Sequence, residues 1–280
     1  MLHTESEILS DRDFHRISDV VYRYCGINLH EGKRELVRAR IAKRLRCTGF
    51  ERSADYLDQV LADEQGEEFT HLIDCLSTNL TSFYRESVHF DYLRERLLPE
   101  LLDRKRRAGV NRIRAWSAGC SSGEEPYTLA IELLSNTNDA QGWDVRILAT
   151  DISVRVLKMA QAGMYDAARV EAVPPLLRQK YLIPARRDGQ TMYQVAPAAQ
   201  RLIRFARLNL METWPFSGPF DFIFCRNVMI YFDKPTQQTL VNRFWECLEK
   251  GGVLFTGHSE SLTGIAHKFR YVQPTVYAKA

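Results

Sequence analysis

From Arg112 onward the chain carries five short apolar runs, each ending in small or polar residues: IRAWSAG, VRILATDIS, LIRFARLNL, FDFIFCRNV and GGVLFTGH. Helical segments separate most of them, among them EEPYTLAIELLSNT, VRVLKMAQAG and PTQQTLVNRFWECLEKGG. Such alternation predicts an α/β domain with a mostly parallel sheet covered on both faces. Ligands of such sheets bind beyond the carboxyl ends of the strands. Gly119, Asp151, Asn209, Arg226 and His258 fall at those ends. The closing segment, KFRYVQPTVYAKA, reads as a final hairpin.

Before Arg112 the texture is helical. FHRISDVVYRYCGINL follows Ser10 and Asp11, plausible caps, and Gly26 is a plausible stop. GKRELVRARIAKRLRCTG runs to Gly49, and SADYLDQVLADE and EEFTHLIDCLSTNL follow as shorter amphipathic segments. The expected division is an all-α domain over residues 1–76, a linker helix over 77–109, and an α/β domain over 110–280. Within the last, residues 181–206 break the alternation, and Asp188-Gly189 between β-prone runs predicts a small antiparallel hairpin. An ordinary long crossover loop is the alternative.

No apolar run approaches the roughly 20 residues of a membrane span, so no membrane insertion is expected. MLHTESEILSDRDF has mixed charge and no apolar stretch, unlike a signal peptide. The six cysteines lie far apart, without CxxC pairs or clustered histidines. That pattern predicts no metal and a reducing, cytoplasmic location.

The loop SAGCSSGEEP (117–126) joins the first apolar run to a helix, where glycine-rich loops usually hold phosphate. Its glycines, Gly119 and Gly123, are spaced GxxxG, and no Walker-type lysine is present. Glu124 and Glu125 suit the helix dipole but repel a polyanion. The loop therefore suits a ligand that approaches the backbone closely while presenting positive charge. S-adenosylmethionine fits, with its ammonium and sulfonium and no phosphate. The plainer alternative is two first-turn glutamates facing water.

Asp151 ends the second strand, where a carboxylate hydrogen-bonds ribose hydroxyls in nucleoside-binding α/β folds. It can also cap the helix that follows. Arg226, Asn227 and Tyr231 follow the very apolar FDFIFC at the expected rim. Asn79, Thr81 and Arg85 stand out in the polar and aromatic STNLTSFYRE at the domain junction, though Thr81 or Ser82 can equally be a helix cap. GHSES (257–261) fails the GxSxG elbow because Ser261 replaces the second glycine. The helix KRELVRARIAKRLR is strongly basic, with Val37, Ile41 and Leu45 as a packing stripe. It is either a solvated face or a docking surface for an acidic partner; lack of aromatics disfavours nucleic acid.

In series, SAGCSSGEEPYTLA, ATDIS, STNLTSFYRE, CRNVMIYF and GGVLFTGHSES resemble the bacterial chemotaxis-receptor glutamate methyltransferases over nearly the whole chain. The resemblance implies a Rossmann-like class I S-adenosylmethionine-dependent methyltransferase domain carrying a small antiparallel β-subdomain, preceded by an all-α domain. The implied activity is protein-glutamate O-methylation of methyl-accepting chemotaxis receptors on their cytoplasmic helices, with S-adenosylhomocysteine as product. The implied cofactor positions are Asn79, Thr81, Arg85, Glu125, Asp151, Asn209, Leu210, Arg226 and Asn227. Arg85 and Tyr231 would lie nearest the reacting methyl. Arg38, Arg40, Lys43 and Arg44 would dock the glutamate-rich receptor helices, and the β-subdomain binds a receptor C-terminal peptide in some members. The competing classes are a small-molecule or nucleic-acid methyltransferase, a non-catalytic cofactor sensor and a nicotinamide oxidoreductase.

Overall fold

Ser10 accepts a hydrogen bond from Asp13 N at 3.1 Å and starts α1 (Asp11–Cys25), which ends at a left-handed Gly26. The structure, a computed structural model, describes residues 9–187 and 189–280. A 3-10 turn at Glu31–Lys33 leads into α2 (Arg34–Thr48), then α3 (Ser53–Ala62) and α4 (Glu67–Leu76). These helices close around Phe14, Ile17, Ile41, Tyr56 and Leu72, all buried. Val37, Ile41 and Leu45 all point inward, as their spacing requires. Helix α4 stops at Leu76 because Ser77 already has extended backbone.

Next comes a rod made of α5 (Val88–Tyr92), a π-helical turn (Leu93–Leu97) and α6 (Leu98–Arg107). Pro99 has no N–H to give to the preceding turn, and the wide π turn sits just before it. The rod buries Phe90, Leu93, Leu98 and Leu101 against the sheet. Lys105 Nζ, at its end, lies 2.6 Å from Asp221 Oδ1 on a central strand.

The main sheet then builds in chain order from β1 (Arg112–Ala118), α7 (Glu124–Asn136), β2 (Asp144–Asp151) and α8 (Val154–Ala162). A small insertion follows: β3 (Met164–Asp166), the short α9 (Ala167–Val170), α10 (Pro175–Tyr181), β4 (Leu182–Arg187), β5 (Gln190–Val195) and α11 (Pro197–Gln200). The chain returns through β6 (Ile203–Arg207), β7 (Phe220–Cys225), α12 (Lys234–Cys247) and β8 (Leu248–Thr256), and closes with β9 (Arg270–Gln273) and β10 (Val276–Ala278). Strand order is β6-β2-β1-β7-β8-β10-β9. The first five run parallel to their neighbours; β10 is antiparallel to both β8 and β9.

Alternation along the strands shows why both faces need helices. Phe222 and Phe224 of β7 enter one core with Phe255 of β8, whereas Ile223 and Cys225 enter the other with Trp116 and Phe244. Fully burying each such side chain contributes about 1.5–3 kcal/mol.

The expected hairpin is present as β4 and β5, paired from Leu182 with Val195 to Arg187 with Gln190. Its turn residue Asp188 lies outside the described residues. The sheet also has a third strand: β3 pairs with β5, from Met164 with Gln194 to Asp166 with Met192. The insertion thus starts well before residue 181, and residues 203–206 belong to β6 of the main sheet. No helix of the described residues is long and apolar enough to cross a membrane.

Candidate functional site

The helical unit docks where the parallel strands end. Asn209 Nδ2 donates to Tyr24 O at 2.6 Å, Asn28 N donates to Tyr231 O at 2.8 Å, and Tyr22 OH donates to Asp233 Oδ2 at 2.6 Å. A cavity lies between, and its lining includes Asn79, Thr81, Arg85, Glu125, Asp151, Asn209, Leu210, Arg226, Asn227 and Tyr231. Residues distant in sequence are thus gathered in one place by the strand ends, the α7 N-terminus and the segment 77–86.

The loop after β1 is tight for steric reasons. Gly119 has φ +84°, and a Cβ there would sit 2.3 Å from Val228 Cγ2. Gly123, at φ +99°, would place a Cβ 2.8 Å from the Tyr165 hydroxyl. Only glycine satisfies both the conformation and the space.

Its two glutamates part company. Glu124 is fully buried and turns away from the cavity: Ser122 Oγ donates to it at 2.7 Å and Arg169 Nη1 lies 2.7 Å from Oε1. It fastens α7 to the insertion. Glu125 faces the cavity, accepts from Ser117 Oγ at 2.7 Å, and meets Arg226 Nη1 at 3.2 Å. Burial pushes the Glu125 carboxyl above the usual carboxylate range, against the pull of Arg226. Neither glutamate is a water-facing first-turn residue.

Asp151 receives two backbone N–H groups, Ser121 N at 2.8 Å and Ser153 N at 2.9 Å. Burial raises its carboxyl too, and the two backbone donors oppose that. The cap and cavity roles coexist, since each carboxylate oxygen retains a free lone pair. The Asn209 side chain is occupied in joining Tyr24 and Met211 N, so it shapes the cavity wall and the domain junction together. Beside it Leu210 contributes an apolar wall.

Arg226 is the electrostatic centre. Its guanidinium reaches Glu125, Glu86 Oε2 at 3.1 Å and the Arg85 carbonyl, and it lies over the Phe90 ring at 5.4 Å. Asn227 has φ +58° and donates from Nδ2 to Glu86 Oε1 at 3.1 Å. Arg85 Nη1 donates to Leu80 O at 2.6 Å, which folds the segment 80–85 over the cavity. Thr81 caps no helix, because helical structure resumes only at Val88; it lines the cavity.

Three participants escaped the sequence reading. Glu86 follows Arg85 directly in the YRE triplet and holds both Arg226 and Asn227; those partners keep its carboxyl below the usual range despite burial. Glu260, inside GHSES, accepts from Asn227 N at 2.7 Å and from Ile230 N at 3.1 Å, and also from Gly257 N. It fixes the loop carrying Arg226 to Tyr231. Lys33 lines the cavity with its Nζ 5.2 Å from the Tyr231 ring centre, and burial lowers its ammonium. Adjacency to Arg85 was the signal for Glu86; for Glu260 none was available, since its partners are backbone atoms.

On the basic helix, two of the four expected docking cations are engaged within the chain. Arg44 clasps Glu68, with Nη2 2.7 Å and Nε 3.0 Å from Oε1, and Tyr56 OH donates to the same oxygen at 2.7 Å. Arg40 donates to Ser77 O at 3.2 Å and to Thr78 Oγ1 at 3.0 Å, holding the start of the segment 77–86. These two are structural cations and not a free docking face. Arg38 pairs with Glu35, and Lys43 is exposed. None of the four lines the cavity.

Residues 79–278 match the family described as CheR methyltransferase, SAM binding domain, and residues 12–77 match its all-alpha domain. A probable chemotaxis protein methyltransferase of Rhizobium etli is 42% identical over 92% of this chain and 96% of its own length. The chemotaxis protein methyltransferase of Borreliella burgdorferi is 41% identical over 94% of this chain and 93% of its own. That of Escherichia coli is 38% identical over 98% and 93%.

Proposed function

The chain belongs to the CheR methyltransferase family, and from that premise we propose that it moves a methyl group from S-adenosylmethionine to glutamate side chains of chemoreceptors. The products are glutamate methyl esters and S-adenosylhomocysteine, for chemotactic adaptation. The observation that carries this reading is the placement of Glu125 and Asp151 in one cavity with no phosphate-binding cation on the loop.

The residues fit the cofactor. Asn79 Nδ2 is a buried donor without a hydrogen-bond partner among the described residues, and Asn79 lines the cavity. Glu125 supplies negative charge for an ammonium, and Asp151 has acceptor capacity for a ribose diol. When bound, S-adenosylmethionine supplies an electrophilic methyl on a positively charged sulfur.

The chain's own residues then have modest chemistry to do. A target glutamate is already ionised at neutral pH, so no general base is needed. Its oxygen must be aligned and stripped of water. Arg85 and Tyr231, both on the cavity wall, are assigned that alignment. Lys33, over the Tyr231 ring, adds positive charge at the same mouth. Nothing in this chemistry calls for a metal ion.

For receptor docking on the cytoplasmic side, the exposed Lys43 of α2 is the surface candidate. A receptor C-terminal peptide would extend the small sheet at β4, an edge strand in the order β3-β5-β4. Pro184 in that edge lacks an N–H, which removes one rung from any added strand.

The test is incubation with methyl-labelled S-adenosylmethionine and a receptor cytoplasmic fragment. The reading expects alkali-labile label on receptor glutamates; absence of transfer, with cofactor bound, overturns it.

A further inference from the structure

Among residues that do not line the cofactor cavity, the side chains of Glu86, His89 and His258 face one another with their donor atoms all within 4.8 Å. His89 Nδ1 lies 3.6 Å from Glu86 Oε2, and His258 Nε2 lies 4.0 Å from the same oxygen. Among the described residues no other group of three or more histidine, cysteine or acidic side chains has this arrangement.

The Thr275 hydroxyl lies 2.6 Å from both Pro274 O and His89 Nε2. In the tautomer that carries the ring proton on Nε2, the hydroxyl accepts from the ring and donates to Pro274 O. Nδ1 is left with a bare lone pair. It is fully buried and has no hydrogen-bond partner among the described residues. A lone pair thus opposes a carboxylate oxygen with no proton between them, an arrangement unfavourable for two acceptors and favourable for a cation.

The surroundings agree. The hydrogen-bonded cluster holds three carboxylates, Glu86, Glu125 and Glu260, against the single guanidinium of Arg226. Glu86 is oriented by Arg226 and Asn227 in the manner of a supported metal ligand. His258 is 54% exposed and gives a path in from solvent.

We propose that Glu86, His89 and His258 bind one divalent ion of the zinc type, through Oε2, Nδ1 and Nε2, leaving a fourth position open. Two imidazoles and a carboxylate are a donor set that zinc accepts. With metal–ligand bonds of about 2.1 Å, tetrahedral donors stand roughly 3.4 Å apart. The His89–Glu86 pair already has nearly that spacing, and a small rotation brings the exposed His258 ring in. Because Oε2 of Glu86 also holds Arg226, bound metal competes for that oxygen and weakens the support of Glu125. This coupling rests on the methyltransferase reading; the binding site does not.

Zinc titration of the full chain by calorimetry tests it, in a Cys47→Ser background that removes the exposed thiol. One equivalent should bind, and His258→Ala should weaken it at least tenfold at unchanged melting temperature. Absence of a stoichiometric site, or equal binding by His258→Ala, overturns the proposal. Saturating zinc should also weaken S-adenosylhomocysteine binding in the parent but not in His258→Ala. Unchanged affinity in a zinc-loaded parent overturns the coupling alone.

Discussion

Arg226 Nη1 lies 3.2 Å from Glu125 Oε2, and the same guanidinium holds Glu86 on its other side. The pair joins the end of β7 to the first turn of α7, two places that also flank the cavity. Both carboxylates occupy Arg226 within the chain, so Glu125 on the loop faces the cavity at a position where other α/β folds hold phosphate.

Breaking the pair from the basic side strands two largely buried carboxylates. Arg226→Met is expected to cost about 3–5 kcal/mol of stability. Arg226→Lys should cost less, since it keeps the charge but cannot bridge both partners. Urea unfolding of the two variants checks the order.

Cofactor affinity should fall as the solution is acidified. Burial raises the carboxyls of Glu125 and Asp151 above their ordinary values. A raised acid holds its proton further up the pH scale, so binding a cation or a diol requires that proton to leave. S-adenosylhomocysteine should therefore bind progressively more weakly as the pH falls from neutral toward the ordinary carboxylate range. Proton release should show as a dependence of calorimetric enthalpy on buffer, and Glu125→Gln should flatten the pH profile in part, leaving the share of Asp151.

Tyr231→Phe removes only a hydroxyl from the cavity wall. Methyl transfer should slow roughly tenfold to a hundredfold with little change in S-adenosylhomocysteine affinity. Arg85→Ala also frees the Leu80 carbonyl, so it should reduce both. Separate measurement of kcat and of product affinity distinguishes them.

Two neighbours on α2 should behave oppositely. Arg44→Glu places like charge against Glu68 and should destabilise the helical unit by about 1–3 kcal/mol. Lys43→Glu, on an exposed side chain, should leave the melting temperature unchanged and weaken receptor methylation. Thermal unfolding together with a receptor-fragment assay separates the outcomes.

The parallel sheet was legible because strands buried on both faces read as continuous apolar runs, FDFIFC above all. Glu125 was legible because a carboxylate contradicts a phosphate loop. Contacts that depend on tertiary folding were not. Glu68 lies 24 positions from Arg44, so nothing local announces their pair. The third strand of the insertion has only three residues, too few for a periodic signal. Glu260 binds backbone N–H groups, which leave no trace in residue identity. Glu124 and Glu125 look equivalent in sequence, and only the helix direction sends one to Arg169 and the other to the cavity.

The central claim is that the Glu125 carboxylate takes up the cofactor's positive charge. Calorimetric titration of Glu125→Gln with S-adenosylhomocysteine tests it most directly, with thermal unfolding as the control for fold. Loss of a charge-assisted hydrogen bond worth about 1.5–3 kcal/mol predicts affinity weaker by roughly tenfold to a hundredfold. Affinity equal to the parent, in a variant that unfolds at the same temperature, would contradict the account.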